Sequence, residues 1–312
     1  MELRVVFMAT PDFAVPALHL LISNSYQIVA VYTQPDKPAG RSLQPVPPPV
    51  KRLAMDNSIP VVQPETLDAS SAFEELASFS PDLIVVAAYG RILPSRMLSL
   101  PKFGCLNLHP SLLPRHRGSS PIANTILCGD EVTGVTVMLM DAGMDSGPIL
   151  AQREVFVSPQ DTSGSLTPKL AQIGAELLLE SLPLWIGGKI RPRPQDERQA
   201  TFSRMLTKED GTIDWKLPAV QLWRRIRAFD PWPGCYAWWK GRRLKVCEAL
   251  PLAGGGEVGK VIAITEPAAA VVGVVTGMGV LGLLRVQLEG RREMSAADFA
   301  RGQRDFVGSV LA

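Results

Sequence analysis

The sequence predicts an α/β protein in two parts: a doubly wound, mostly parallel sheet over residues 1–188, then a small β-barrel over residues 209–312. Three observations carry this. The first part holds unbroken apolar runs such as Leu83-Ile84-Val85-Val86-Ala87, the kind that fills strands buried on both faces. The second part holds shorter β-type runs separated by turns rich in Gly, Pro and charge. Between them, residues 189–208 are basic, polar and poor in apolar side chains, with Pro192 and Pro194, and read as a linker.

Taken in order, residues 3–8 form the first strand, and the turn at Pro11 leads into a helix over 14–23. Further strands are expected at 28–33, 61–62, 82–88, 105–108 and 135–140. Helices between such strands make a doubly wound domain. A helix over 162–185 closes this part, with Asp161 and Ser163 as candidate caps and Gly187-Gly188 as its stop. After the linker come a helix over 220–228 and strands at 235–239, 244–249, 259–264, 270–276 and 280–288. A five-stranded Greek-key barrel suits that pattern, and such barrels often bind oligonucleotides. Pro45-Val46-Pro47-Pro48-Pro49 reads as a rigid extended loop.

The 312 residues suffice for two buried cores, and the composition is that of a globular protein. No stretch reaches the roughly 18 apolar residues of a membrane span. The N-terminus lacks the basic and apolar regions of a secretory signal, and the four cysteines are scattered. A cytoplasmic monomer with reduced thiols is therefore expected. Charge is uneven: residues 1–188 carry 12 Lys+Arg against 17 Asp+Glu, and residues 189–312 carry 20 against 13. The second part either meets a polyanion or sits against its acidic neighbour.

The first strand–helix turn, Met8-Ala9-Thr10-Pro11-Asp12-Phe13, has no glycine triad, which argues against a dinucleotide site. The three histidines, His19, His109 and His116, share no metal-ligand spacing with Cys or carboxylates, so no metal is expected. Chemistry concentrates in Asn107-Leu108-His109, where strand alternation points Asn107 and His109 to one face at a strand's carboxyl end. The next strand runs into Asp141-Ala142-Gly143-Met144-Asp145-Ser146-Gly147, on the same rim if the two strands are parallel. An amide donor, an imidazole and a carboxylate together suit acyl transfer. Asn107 and protonated His109 would donate to a tetrahedral oxyanion, and the carboxylate would raise and orient the imidazole. Arg117 would either bind phosphate or pair with a carboxylate, and most of the tryptophans from Trp215 to Trp239 would be core.

These residues carry a resemblance. Asn107-x-His109, Ser111-Leu112-Leu113-Pro114, Arg117-Gly118 with Pro121, and Asp141-x-Gly143-x-Asp145-Ser146-Gly147 resemble the signature of folate-dependent formyltransferases. Thr10-Pro11-Asp12-Phe13-Ala14, the run from Thr33 through Lys37 to Arg41, Ala88-Tyr89-Gly90-Arg91 and Ile226-Arg227-Ala228-Phe229 are similar to the branch of that family acting on methionyl-tRNA. The resemblance spans both parts of the chain. It implies 10-formyltetrahydrofolate as formyl donor, initiator methionyl-tRNA as acceptor and no metal. It implies Asn107, His109 and Asp145 as catalytic residues, and Ser111, Leu112, Leu113 and Pro114 with Tyr89 and Gly90 at the folate. It implies Arg41, Lys37 and Lys208 on the tRNA, and residues 209–312 as a tRNA-binding barrel; Phe13 is a candidate wall for the methionine side chain. The sequence departs from the pattern at Pro110, at His116 where a Trp is expected, and at Ser42-Leu43-Gln44 where lysines are expected after Arg41. A sugar-nucleotide formyltransferase, a formyl-folate hydrolase, a glycinamide ribonucleotide formyltransferase, which would need only the first part, and a nucleic-acid-binding protein on a degenerate core are the competing readings.

Overall fold

The computed structural model describes residues 3–39, 44–266 and 270–312. It divides into two compact units: residues 1–121, 132–156 and 167–203 in one, residues 122–131, 157–166 and 204–312 in the other.

The first unit begins with β1 (Arg4–Ala9), α1 (Val15–Ser23) and β2 (Gln27–Tyr32). A small hairpin, β3 (Lys37–Ala39) with β4 (Gln44–Val46), precedes α2 (Pro49–Asp56) and β5 (Val61–Val62). Then follow α3 (Ser70–Ser78), β6 (Leu83–Ala87), α4 (Ser95–Leu98), β7 (Cys105–His109) and β8 (Arg117–Gly118). After α5 (Pro121–Cys128), which lies mainly in the second unit, come β9 (Val132–Leu139) and β10 (Ile149–Phe156). Helix α6 (Ser163–Ile186), from residue 167 onward, and β11 (Phe202–Ser203) complete it.

Seven strands form one sheet in the order β10-β9-β7-β6-β1-β2-β5. Strands β5, β2, β1, β6 and β7 are parallel, and all five residues of β6 are buried, as an unbroken apolar run requires. The condition that strand β9 run parallel to β7 is not met. Strand β9 runs antiparallel to β7, pairing Leu106 with Leu139 and His109 with Thr136. The rim shared by parallel strands therefore does not explain how Asp145 reaches His109.

The caps expected for the long helix change. Helix α6 starts where predicted, but Thr162 caps it: its hydroxyl accepts from the Ser165 N–H at 3.2 Å. Asp161 accepts instead from the Ser158 N–H, and Ser163 donates to the Ala228 carbonyl. The segment read as a linker is fastened along the first unit through residue 203. Arg193 and Ile149 exchange backbone hydrogen bonds at 2.8 Å, and β11 pairs with β8. Basic, apolar-poor composition does not distinguish a free tether from a strap held by polar bonds.

In the second unit, α7 (Ala219–Ala228) precedes β12 (Cys235–Trp239), β13 (Arg242–Leu252), β14 (Val261–Ala263), β15 (Val272–Val275) and β16 (Val280–Leu288). Short β17 (Met294–Ser295) and α8 (Ala296–Gly302) end it. The strands make an antiparallel curled sheet, order β12-β13-β16-β15-β14, a half-barrel. The chain end fills the gap between its edges: Ala312 bonds Trp238 on β12, while Ser309 accepts from Val261 on β14. Trp239, Phe299 and Phe306 form an edge-to-face core trio with centroids 4.9 to 5.5 Å apart. Trp215 and Trp239 are buried, but Trp232 and Trp238 are exposed, and Arg243 lies over Trp238. No helix among the described residues is long and apolar enough to cross a membrane.

Candidate active site

Strand β7 alternates as expected: Leu106 and Leu108 turn into the core, leaving Asn107 and His109 for the other face. The loop between β9 and β10 brings Asp145 to both of them. One carboxylate oxygen, Oδ1, accepts from Asn107 Nδ2 at 3.2 Å, and the other, Oδ2, accepts from the Gly118 N–H at 2.8 Å. His109 Nδ1 lies 3.7 Å from Asp145 Oδ2. The Asp145 and His116 backbones both sit in the left-handed region, at φ 51° and 59°. Side-chain-bearing residues rarely adopt that conformation, and it concentrates at functional sites.

The imidazole orientation follows from its other nitrogen. His109 Nε2 is 3.1 Å from the His116 carbonyl oxygen. A carbonyl only accepts, so Nε2 carries the hydrogen and Nδ1 presents a lone pair toward Asp145. Burial pushes the His109 pKa down, while the Asp145 carboxylate and the His116 carbonyl pull it up; burial wins. The net direction is opposite to the rise expected from the carboxylate alone, so His109 stands neutral near pH 7. With Nδ1 unprotonated, the ring can accept a proton at that nitrogen. Asn107 spends one amide hydrogen on Asp145 and has a second to offer.

A buried shell surrounds the three. Ser111 is fully buried and its hydroxyl donates to the Arg115 carbonyl at 2.6 Å, so it staples the turn. Thr136 donates to the Ser111 carbonyl at 2.6 Å and accepts from the Leu113 N–H at 3.1 Å. Leu113 packs with Met138 and Ile149, while Leu112 and Pro114 stay half-buried. Arg117 is 3% exposed and makes a two-pronged pair with Glu197 at 2.9 and 2.7 Å, which selects carboxylate pairing over phosphate binding.

At the carboxyl ends of β1, β2 and β6, Thr10 and Gln34 both donate to the Tyr89 carbonyl. The Tyr89 ring points into the core, with burial raising its pKa to about 12, so only its backbone faces this rim. Gly90 takes φ 79°, and a Cβ there would strike the Gln34 amide that holds its carbonyl. Phe13 is buried, and Lys37 is exposed with its ammonium on Gln34. Lys208 is exposed in the second unit, and Arg41 lies outside the described residues.

Gln195 and Glu197 escaped sequence reading, because polar residues in an apolar-poor stretch carry no signal of their partners. Among the described residues, no group of three or more His, Cys, Asp or Glu side chains is arranged to hold a metal ion.

Comparison with known proteins gives two family matches: formyl transferase over residues 3–182, and formyl transferase, C-terminal domain, over residues 205–304. The methionyl-tRNA formyltransferase of Chloroflexus aurantiacus is 47% identical over 300 residues, covering 96% of this chain and 97% of its own. That of Roseiflexus sp. is 48% identical over 315 residues, covering 100% and 96%, and that of Dehalococcoides mccartyi 46% over 311, covering 99% and 99%. Among solved structures, Aquifex aeolicus HypX in complex with tetrahydrofolic acid matches at TM-score 0.64 and 19% identity, over 98% of this chain and 48% of that one. The N-formyltransferase of Helicobacter canadensis, with folinic acid and dTDP-3-aminofucose, matches at 0.62 and 17%, over 91% and 99%. At these identities the two structures show a shared fold.

Proposed function

The chain belongs to the methionyl-tRNA formyltransferases, enzymes that place a formyl group on methionyl-tRNA, and we propose that it draws that group from 10-formyltetrahydrofolate through Asn107, His109 and Asp145. The observation that carries this reading is the arrangement of the three side chains: Asp145 bonded to Asn107 and facing the lone-pair nitrogen of a neutral, buried His109.

The methionyl amine attacks the formyl carbon, and the carbonyl electron pair moves onto oxygen. The second Asn107 amide hydrogen stabilises that oxyanion. The ammonium proton of the adduct passes to His109 Nδ1, and Asp145 stabilises the imidazolium that forms. As the oxyanion collapses, the bond from carbon to folate N10 breaks and N10 takes the proton from Nδ1. The products are a formamide and tetrahydrofolate, with His109 neutral again.

The folate lies, in this proposal, along the turn of Ser111, Leu112, Leu113 and Pro114 and the backbone at Tyr89 and Gly90. Because the Ser111 hydroxyl and the Tyr89 ring are turned inward, the contacts come from main chain and from Leu112 and Pro114. Phe13 borders the methionine side chain. Residues 1–188 supply the chemistry, and residues 209–312 hold the tRNA, with Lys37, Arg41 and Lys208 as phosphate contacts. The initiator form is the acceptor, and the enzyme acts in the cytoplasm as a monomer. The test offers labelled 10-formyltetrahydrofolate with initiator methionyl-tRNA, elongator methionyl-tRNA and an amino-sugar nucleotide in parallel. Label on initiator tRNA alone is expected; label on the sugar, or release of free formate, refutes the reading.

A further inference from the structure

We infer that Gln195 is a positioning residue for formyl transfer: its amide ties the main chain of the Asp145 loop to buried Arg117 and so sets where the Asp145 carboxylate stands beside His109. The inference rests on the catalytic reading of Asp145 above.

All four bonding positions of the Gln195 amide are used. Nε2 donates to the carbonyls of Asp145 at 2.8 Å and Gly147 at 2.7 Å. Oε1 accepts from Arg117 Nε at 3.1 Å and Nη2 at 2.9 Å. An amide has two hydrogens and two acceptor positions, so Gln195 keeps nothing for a substrate and acts through what it holds. Arg117 is a rigid partner, because Glu197 grips the rest of its guanidinium. The residue after it, Gly118, donates its N–H to the Asp145 carboxylate. Asp145 is thus held twice from one place: by its side chain through Gly118, and by its backbone through Gln195 and Arg117.

The loop needs that second hold. Residues 141–144 are exposed, and the Gly143 N–H and the Ser146 hydroxyl both bond back to Asp141 within the loop itself. The carrier of Gln195 is itself anchored, by the backbone pair of Arg193 with Ile149 on one side and by the pairing of β11 with β8 on the other.

The test compares the full-length enzyme with Gln195→Met, which keeps the volume and loses all four bonds, and Gln195→Glu. The glutamate retains an acceptor for Arg117 but cannot donate to the two loop carbonyls. Both are expected to lower kcat by about 10- to 100-fold, the usual cost of a small misplacement, with KM for folate and tRNA little changed. Combined with Asp145→Asn, neither is expected to lower kcat further, because both act through one carboxylate. Wild-type kcat in Gln195→Glu overturns the inference, as does a full multiplicative loss in the double variant. Wild-type turnover in Asp145→Asn alone would instead remove the catalytic reading beneath it. Should Gln195→Met fail to fold, Gln195→Glu alone decides between these outcomes.

Discussion

Replacing Asp145 by asparagine removes one charge and almost no volume, which isolates the electrostatic role of the carboxylate. In the proposed mechanism His109 is neutral before the reaction and cationic once it holds the amine proton, so the carboxylate stabilises only the later state. At 3.7 Å and an effective dielectric constant of about 20, that attraction is about 4 kcal/mol. Its complete loss corresponds to about 10³-fold in rate, and partial compensation by the new amide dipole leaves an expected fall in kcat of about 10²- to 10³-fold. The geometry adds to the loss. A substituted side chain that keeps its oxygen on the Gly118 N–H turns its NH₂ toward the NH₂ of Asn107, donor against donor across what is now a 3.2 Å hydrogen bond. The assay is single-turnover formyl transfer to methionyl-tRNA at saturating donor, with thermal unfolding run alongside. A single-turnover rate constant within about threefold of wild type, in a variant that unfolds at the wild-type temperature, refutes the reasoning.

The remaining predictions concern pH, the folate turn and the tRNA loop. As His109 must be neutral to take a proton and burial lowers its pKa, the acid limb of kcat/KM is expected below the ordinary histidine value of about 6.5. The acceptor amine adds its own limb at about 7.7–8.0 in the wild type and in His109→Ala alike, so a limb between about 6.5 and that value that disappears in His109→Ala contradicts the assignment. The stability sign agrees: a buried imidazole with a depressed pKa contributes fully above its unfolded pKa, and that contribution is lost as pH falls through the folded one. Ser111→Ala is expected to cost about 1 kcal/mol of stability by removing the hydrogen bond of a fully buried hydroxyl, with KM for the folate donor unchanged. A rise in that KM alone would place the hydroxyl on the ligand. Arg41→Ala is expected to raise KM for methionyl-tRNA and leave transfer to a small amine acceptor nearly intact; equal losses on both would move Arg41 into the chemistry.

Patterns set by the chain's own periodicity were legible in the sequence. Buried strands announce themselves as apolar runs, which is why β1, β2, β6 and β7 stand close to their expected places. Alternation alone put Asn107 and His109 on one face, and the resemblance chose Asp145 over Asp141 in the loop. Strand direction is not encoded that way. An apolar run reads the same whether its neighbour is parallel or antiparallel, so the reversal of β9 was invisible, and with it the path by which Asp145 arrives.

The sequence by itself offered an amide and an imidazole at a strand end and two carboxylates in a glycine-containing loop, and the family resemblance singled out Asn107, His109 and Asp145 among them. The tertiary structure decided the direction in which the imidazole pKa moves, and the supports. Whether His109 is a cation or a base depends on how completely it is buried, set against one carboxylate and one carbonyl, and burial is a property of the whole fold. That Gln195 and Glu197 belong to the site also follows only from the fold, because the bonds from residues 195 and 197 to residues 117, 145 and 147 join positions far apart in the chain. A polar side chain bears no mark of the partner it will meet once the chain has closed around it.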